Sequence, residues 1–459
     1  MPEPLWTSEE IVAATGGVLE GAPFTATGVS IDSRSVDPGD LFVALSGVRD
    51  GHDFALTAAE AGAAGALVSQ PVAIASVEVP ETLRALEAMG IAARDRSKAR
   101  RCAITGSVGK TSVTQAVMAG LSRAGRAHSS VKSYNNHIGV PLTLARMPRD
   151  TQRAVFEIGM NHAGEIEPLS KMVKPHAVAI TTVGPVHIEN FEDGEKGVAR
   201  AKAEIFAGLE PGGVAVLNAD NKWFDMLAAE ARKVGAEVRS FGSGEDCTAR
   251  LVSFEPPLLK AIIDGVGVEF PLLQTGLHWG LNSLCVLLVL EAMDVDLETA
   301  IAALSEFAPL AGRGAEMEVR IPGGAFTLVD ESYNANPISM AAALKSLGVR
   351  RVAGRRIVAL TDMLELGPDG PSFHAALAEP IEAAGVDLVF CAGPQMKSLW
   401  EALPATRRGA YADDAAALTP QVVSAAEPGD VVMVKGSNGS RAGAIAAALA
   451  ALDRTRADA

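Results

Sequence analysis

The stretch Cys102-Ala-Ile-Thr-Gly-Ser-Val-Gly-Lys-Thr111 decides how this chain is read. A short apolar run enters a glycine-rich turn that ends in Lys-Thr, and a helical pattern follows over Ser112–Ala124. Such a pattern predicts a buried strand, a tight turn and a helix N-terminus. The glycines let successive backbone N–H groups turn inward around phosphate oxygens. Lys110 adds a point charge for the β- and γ-phosphates, and the Thr111 hydroxyl can ligate Mg2+. The strict phosphate-loop consensus has glycine where Ile104 stands. A plain glycine-rich strand-to-helix turn is the alternative, and the Lys-Thr pair argues against it. Gly106, Ser107, Gly109, Lys110, Thr111 and Ser112 are the expected nucleotide contacts.

Outward from this loop the same design recurs. Ala154-Val-Phe-Glu runs into Ile-Gly-Met-Asn, Ala177–Thr182 into Val-Gly-Pro-Val-His, and Val214-Ala-Val-Leu into Asn-Ala-Asp-Asn. Helical patterns such as Gly197–Leu209 lie between them. Strand, crossover helix, strand is the signature of a parallel sheet. From about residue 313 the pattern repeats at Phe326–Val329, Ile357–Leu360, Leu388–Cys391 and Val431–Val434, with Ala442–Leu452 as a final helix. Residues before about 95 form short strands, glycine-rich turns and an Ala-rich helix around Thr57–Ala66. The expected fold class is α/β in three domains: 1–95, 96–312 and 313–459. Ligands gather beyond the carboxyl ends of strands in such sheets, so a two-sided site between the last two domains is expected.

Composition bounds the function. The chain has 459 residues, 48% hydrophobic and 21% charged, as in a globular protein. Its formal net charge of −15 argues against nucleic-acid or membrane-surface binding. Cys102, Cys247, Cys285 and Cys391 stand far apart and are expected to be reduced, buried thiols of a cytoplasmic protein. The N-terminal stretch shows no signal-peptide pattern. Pro271–Leu290 is uncharged but carries Gln274, His278, Asn282 and Ser283, which suits a buried helix and not a membrane span.

Two further residues could hold a metal near bound phosphates. Glu157 and His187 follow strand ends, where a carboxylate and an imidazole could meet a metal if their strands flank the phosphate-loop strand. The bland alternatives are a helix cap and a loop histidine. Lys202 lies in an apolar helical pattern, where a lysine ordinarily reaches out to an ion pair.

Longer motifs now add up. Lys132-Ser-Tyr-Asn-Asn-His-Ile-Gly-Val-Pro141, Glu157-Ile-Gly-Met-Asn-His-Ala-Gly164, Thr181-Thr-Val-Gly-Pro-Val-His-Ile-Glu-Asn190, Asp330-Glu-Ser-Tyr-Asn-Ala-Asn-Pro337 and Thr361-Asp-Met-Leu-Glu-Leu-Gly367 resemble the Mur ligases of bacterial cell-wall synthesis. Within that family they resemble the branch that adds D-alanyl-D-alanine. The resemblance runs from about Val29 to Arg441.

The resemblance implies an ADP-forming, ATP-dependent peptide ligase of peptidoglycan precursor synthesis, acting through an acyl phosphate on UDP-N-acetylmuramoyl-tripeptide. A free carboxylate does not acylate an amine at pH 7, so ATP must supply the leaving group. It implies a uridine-binding domain, a central ATPase domain and a Rossmann-like C-terminal domain for the dipeptide. By the same resemblance Lys110 holds phosphates, Thr111 and Glu157 hold one Mg2+, and His187 holds a second with a carbamate formed on Lys202. Asn282 would contact adenine, Arg313 the ATP phosphates and Asp330 the ribose. Ser30, Ser33, Arg34 and Arg49 would contact the uridine diphosphate, and Asn135 and Asn136 the sugar–peptide. Lys435-Gly-Ser-Asn-Gly-Ser-Arg441 would face the same cleft. A monomer without nucleic-acid partner or membrane insertion is expected. Two rivals remain. The preceding ligase carries an Asp-Asn-Pro-Arg signature where this chain reads Asn334-Ala-Asn-Pro337. A nucleotide-driven binding module would hydrolyse ATP without joining anything.

Overall fold

Strand Arg100–Thr105 is buried on both faces at the heart of a nine-stranded sheet in the computed structural model, which describes residues 4–131 and 133–453. Lys132 of the quoted run and the basic residues after 453 lie outside the described residues. The nine strands run in the order Val266–Pro271, Leu258–Ile263, Ala249–Glu255, Glu237–Gly242, Val214–Asn218, Ala177–Ile180, Arg100–Thr105, Arg153–Glu157, Ala127–Ser129. Only the Leu258–Ile263 pairings are antiparallel. Helices Lys110–Ala124, Trp279–Ala292 and Leu297–Glu306 pack together on one face. Ile166–Val173, Glu195–Ala203 and Phe224–Lys233 cover the other. Over residues 284–290 helix Trp279–Ala292 is apolar all round because it is buried all round, and each buried leucine there stabilises it by ~1.5–3 kcal/mol.

The N-terminal unit is a five-stranded sheet ordered Val18–Glu20, Ser76–Glu78, Gly65–Val68, Asp40–Val43, Gly28–Ser30. The expected helix over Thr57–Ala66 is shorter: it spans Ala55–Glu60, and Ala66 belongs to a strand. Gly62, at φ +102°, turns the chain between them. Helix Thr82–Arg96 packs on Gly139–Ala145 of the central unit, and Trp6 Nε1 donates to Ala145 O at 2.8 Å. Helix 197–209 is likewise split, into Glu195–Ala203 and a 3-10 turn Glu204–Gly208.

The C-terminal sheet has six strands ordered Ala315–Ile321, Gly324–Glu331, Val431–Lys435, Arg356–Thr361, Leu388–Ala392, Arg408–Ala412, parallel except at the first pair. Helices Pro337–Gly348 and Met396–Ala402 cover one face, Ala415–Ala425 and Ala442–Ala450 the other. All four cysteines are free, but Cys247 is only half-buried, in a surface turn, against the expectation. Among the described residues no helix is long and apolar enough to cross a membrane.

Candidate active site

The phosphate-loop strand lies between Arg153–Glu157 and Ala177–Ile180, both parallel to it. Three neighbouring strands therefore open at one place, and Glu157 and the loop leading to His187 arrive beside Lys110. Gly106 and Gly109 sit at φ +153° and +88°, where side chains are disfavoured, and Gly109 precedes helix Lys110–Ala124. A Cβ on Gly106 would overlap Thr181 Oγ1. Gly106→Ala is expected to lower Tm by several degrees and to weaken ADP binding. An unchanged melting scan and ADP titration would show that the loop absorbs the methyl.

Lys110 Nζ donates to Gly106 O at 2.7 Å, and burial lowers its pKa against the pull of Glu157. Thr111 Oγ1 lies 3.2 Å from Ser133 Oγ. Ser107 turns to the neighbouring loop, its hydroxyl donating to Gly184 O at 3.1 Å and accepting from Gly184 N at 3.0 Å. Glu157 is 2% exposed and accepts from Asn135 Nδ2 at 2.7 Å. Lys202, on helix Glu195–Ala203, is 3% exposed, and no described residue forms a hydrogen bond or ion pair with its ammonium. Burial, then the Lys110 charge, pushes its pKa well below the usual lysine value. His187 has a left-handed backbone at φ +57°, and its Nδ1 lies 2.8 Å from Glu365 Oε2. Burial, followed by the charges of Lys110 and Lys202, lowers its pKa to about 4, so the ring is neutral at pH 7.

Above the phosphate loop and Glu157 lies a cavity of about 440 Å³, walled by both α/β units; His187 and Lys202 do not line it. The central unit contributes the phosphate loop with Ser107, Lys110, Thr111 and Ser112, together with Asn135, Glu157, His278 and Asn282. Arg313 at the hinge stacks on Tyr333 at 3.9 Å from the ring centre, and burial lowers its pKa. The C-terminal unit contributes Glu331, Tyr333, Asn334 and Lys435. Lys435, itself buried, donates to Asn334 O at 3.1 Å and to Glu331 Oε2 at 3.3 Å.

Several expected residues stand elsewhere. Asp330 does not line the cavity: its carboxylate accepts from Gly312 N at 3.1 Å and from the Ser332 N–H and hydroxyl. Glu331, next along the strand, points to the cavity instead. Ser30 is fully buried, its hydroxyl spent on Asp32 O at 3.1 Å and on Ser35. Arg34 pairs with Asp32 at 2.7 Å on the surface, Ser33 opens the same 3-10 turn, and Arg49 is exposed. Asn136 caps helix Gly139–Ala145 through Gly139 N at 2.9 Å. Tyr333, Glu331 and His278 were not singled out in the sequence, although each lies inside or beside a quoted motif.

A phosphate loop facing the strand ends of a second α/β sheet defines a two-sided nucleotide-dependent enzyme. The chain belongs to the Mur ligase family. Residues 25–107 match the Mur ligase family catalytic domain, 104–290 the Mur ligase middle domain, and 317–438 the Mur ligase glutamate ligase domain. It is 31% identical over 445 residues to the UDP-N-acetylmuramoyl-tripeptide–D-alanyl-D-alanine ligase of Rickettsia prowazekii, covering 95% of this chain and 97% of that protein. To the enzyme of the same name from Escherichia coli it is 33% identical over 440 residues, covering 94% and 95%. Its fold matches the crystal structure of MurF from Acinetobacter baumannii with a TM-score of 0.86 at 27% identity, over 98% of this chain and 99% of that one.

Proposed function

We propose that this protein joins D-alanyl-D-alanine to the terminal carboxylate of UDP-N-acetylmuramoyl-tripeptide at the expense of ATP, forming ADP and phosphate in peptidoglycan precursor synthesis. The observation that carries the reading is the two-sided cavity, with Lys110 on one wall and Arg313, Tyr333 and Lys435 on the other.

In this reading the phosphate loop and Lys110 hold the β- and γ-phosphates, and Arg313 approaches them from the hinge. The substrate carboxylate attacks the γ-phosphorus as the bond to the ADP oxygen breaks. The dipeptide amine then attacks the acyl phosphate and expels phosphate. Such chemistry asks a protein for positioning and charge neutralisation more than for covalent help. Asn282, from beside Gly109, serves the base. Glu331, which lines the cavity where Asp330 does not, would meet the ribose. Residues 1–95 would recognise the uridine diphosphate, 96–312 ATP and 313–459 the dipeptide.

Among the described residues no three His, Cys, Asp or Glu side chains form a metal-sized cluster. The donors present are one hydroxyl, one carboxylate and one neutral imidazole, beside a buried lysine without a counter-ion. That set fits Mg2+ if phosphate oxygens complete the shell and Lys202 becomes an anion. Thr111 and Glu157 would hold one ion, and His187 with carbamylated Lys202 the other. When bound, Mg2+ would neutralise charge on the phosphate oxygens. A monomer completes the reading, and ATP and UDP-linked substrates together support a cytoplasmic site of action.

A phosphate-release assay tests the reading. Release is expected only when ATP, the UDP-tripeptide and D-alanyl-D-alanine are all present. Steady release from ATP alone would make the protein a nucleotide-driven switch, and release with a UDP-dipeptide plus a diamino acid would make it the preceding ligase.

A further inference from the structure

Glu331 and Lys435 are the last residues of two adjacent strands, Gly324–Glu331 and Val431–Lys435, and they stand opposite one another in the parallel register. Both lie at the carboxyl ends that open on the cavity, and both line it. Lys435 Nζ donates to Glu331 Oε2 at 3.3 Å and to Asn334 O at 3.1 Å. No other donor among the described residues meets the Glu331 carboxylate.

The ammonium ties both ends of the turn from Glu331 to Asn334, whose Tyr333 ring carries Arg313 at 3.9 Å. Asp330 closes the same turn through Ser332, and Ser437 Oγ donates to Ala335 O at 3.3 Å. The Glu331 and Lys435 side chains are 15% and 3% exposed, and a buried pair of this kind is weak evidence for stability. Its consequence is geometric. A glutamate stem otherwise rotates freely, and a bond to a fixed buried donor removes much of that freedom before a ligand arrives. An ionised carboxylate has about four acceptor positions, so one ammonium leaves others open for the ribose hydroxyls.

We propose that Lys435 is a positioning residue for ribose recognition: it holds the Glu331 carboxylate in place at the cavity wall, and through Glu331 it sets the preference for ribonucleotides. The proposal rests on the reading of Glu331 as the ribose contact. It gives the lysine of the Lys435-Gly-Ser-Asn-Gly-Ser-Arg441 run a task on the nucleotide side of the cleft. Lys435 acts on the sugar through the carboxylate and not by its own charge on the phosphates.

The test compares the affinities of the full chain for ADP and for 2′,3′-dideoxy-ADP by titration calorimetry. Wild type should bind ADP at least about 10-fold more tightly, the scale of hydrogen bonds to a charged group. Lys435→Met, which keeps the stem and removes the ammonium, should bring that ratio to within about threefold by weakening ADP alone. On a Glu331→Ala background the same change should alter ADP affinity by less than about twofold, because the group it holds is gone. A melting scan checks each fold; if Lys435→Met does not fold, the neutral but polar Lys435→Gln carries the same expectation. A folded variant that keeps the wild-type ratio would overturn the proposal. Equal weakening of both nucleotides would also overturn it, making Lys435 a direct contact of the phosphates or base. A wild-type protein without preference, or a Glu331→Ala protein that keeps it, would instead strike at Glu331 as the ribose contact.

Discussion

Lys110→Met is expected to lower kcat by at least about 10²–10³-fold, the scale on which one preorganised charge acts on a developing anion. The methionine keeps the alkyl stem and removes the ammonium. The fold should survive, because that ammonium is desolvated and its bond to Gly106 O lies within its own loop. UDP-tripeptide binding should be nearly unchanged, since the unit proposed to recognise the uridine diphosphate is a different sheet from the one that carries the phosphate loop. Titration calorimetry with the UDP-tripeptide checks this. A loss of more than about 1.4 kcal/mol, a factor of ten in Kd, would mean that the two sites are not separable.

The phosphate loop was legible because its signals are local. An apolar run, two glycines and Lys-Thr stand within ten residues, and each says the same thing about strand, turn and helix. What flanks the loop was legible only through the family resemblance. Arg100–Thr105 pairs with strands that begin some fifty and seventy-five residues later, and no local signal shows that Glu157 and His187 arrive beside Lys110. The helix expected over Thr57–Ala66 failed for a related reason. Alanine favours helices, but Gly65–Val68 is buried on both faces of a parallel sheet, and that context overrides propensity.

The choice between Asp330 and Glu331 shows a different limit. Successive residues of a strand point to opposite faces, so a motif located to within one residue still leaves the side of the sheet open. Asp330 holds the Gly312 turn and Ser332, while Glu331 meets the cavity and Lys435. Ser30 shows the same limit: its hydroxyl closes its own turn. Polar residues in turn-rich motifs serve the backbone first, and only packing shows which remain for a ligand.

Lys202 shows the largest gap between its ordinary reading and its surroundings. A lysine in an apolar helical pattern should reach an ion pair, yet this one is 3% exposed with no acceptor among the described residues, and its nearest charged influence is another lysine. An unpaired buried ammonium is costly, and beside Mg2+ it would repel the metal. Its depressed pKa favours the neutral amine, the form that attacks CO2: the new N–C bond forms, a proton leaves to solvent, and the product is an anionic carbamate on a long stem. Lys202→Ala is therefore expected to lose nearly all ligation activity while keeping its fold. Lys202→Glu should recover little, because its carboxylate sits on a shorter stem. If the missing element is a carboxylate, millimolar acetate or formate should partly restore turnover in Lys202→Ala. Rescue by small alkylamines and not by carboxylates would show that Lys202 works as a cation, and the carbamate assignment would fall.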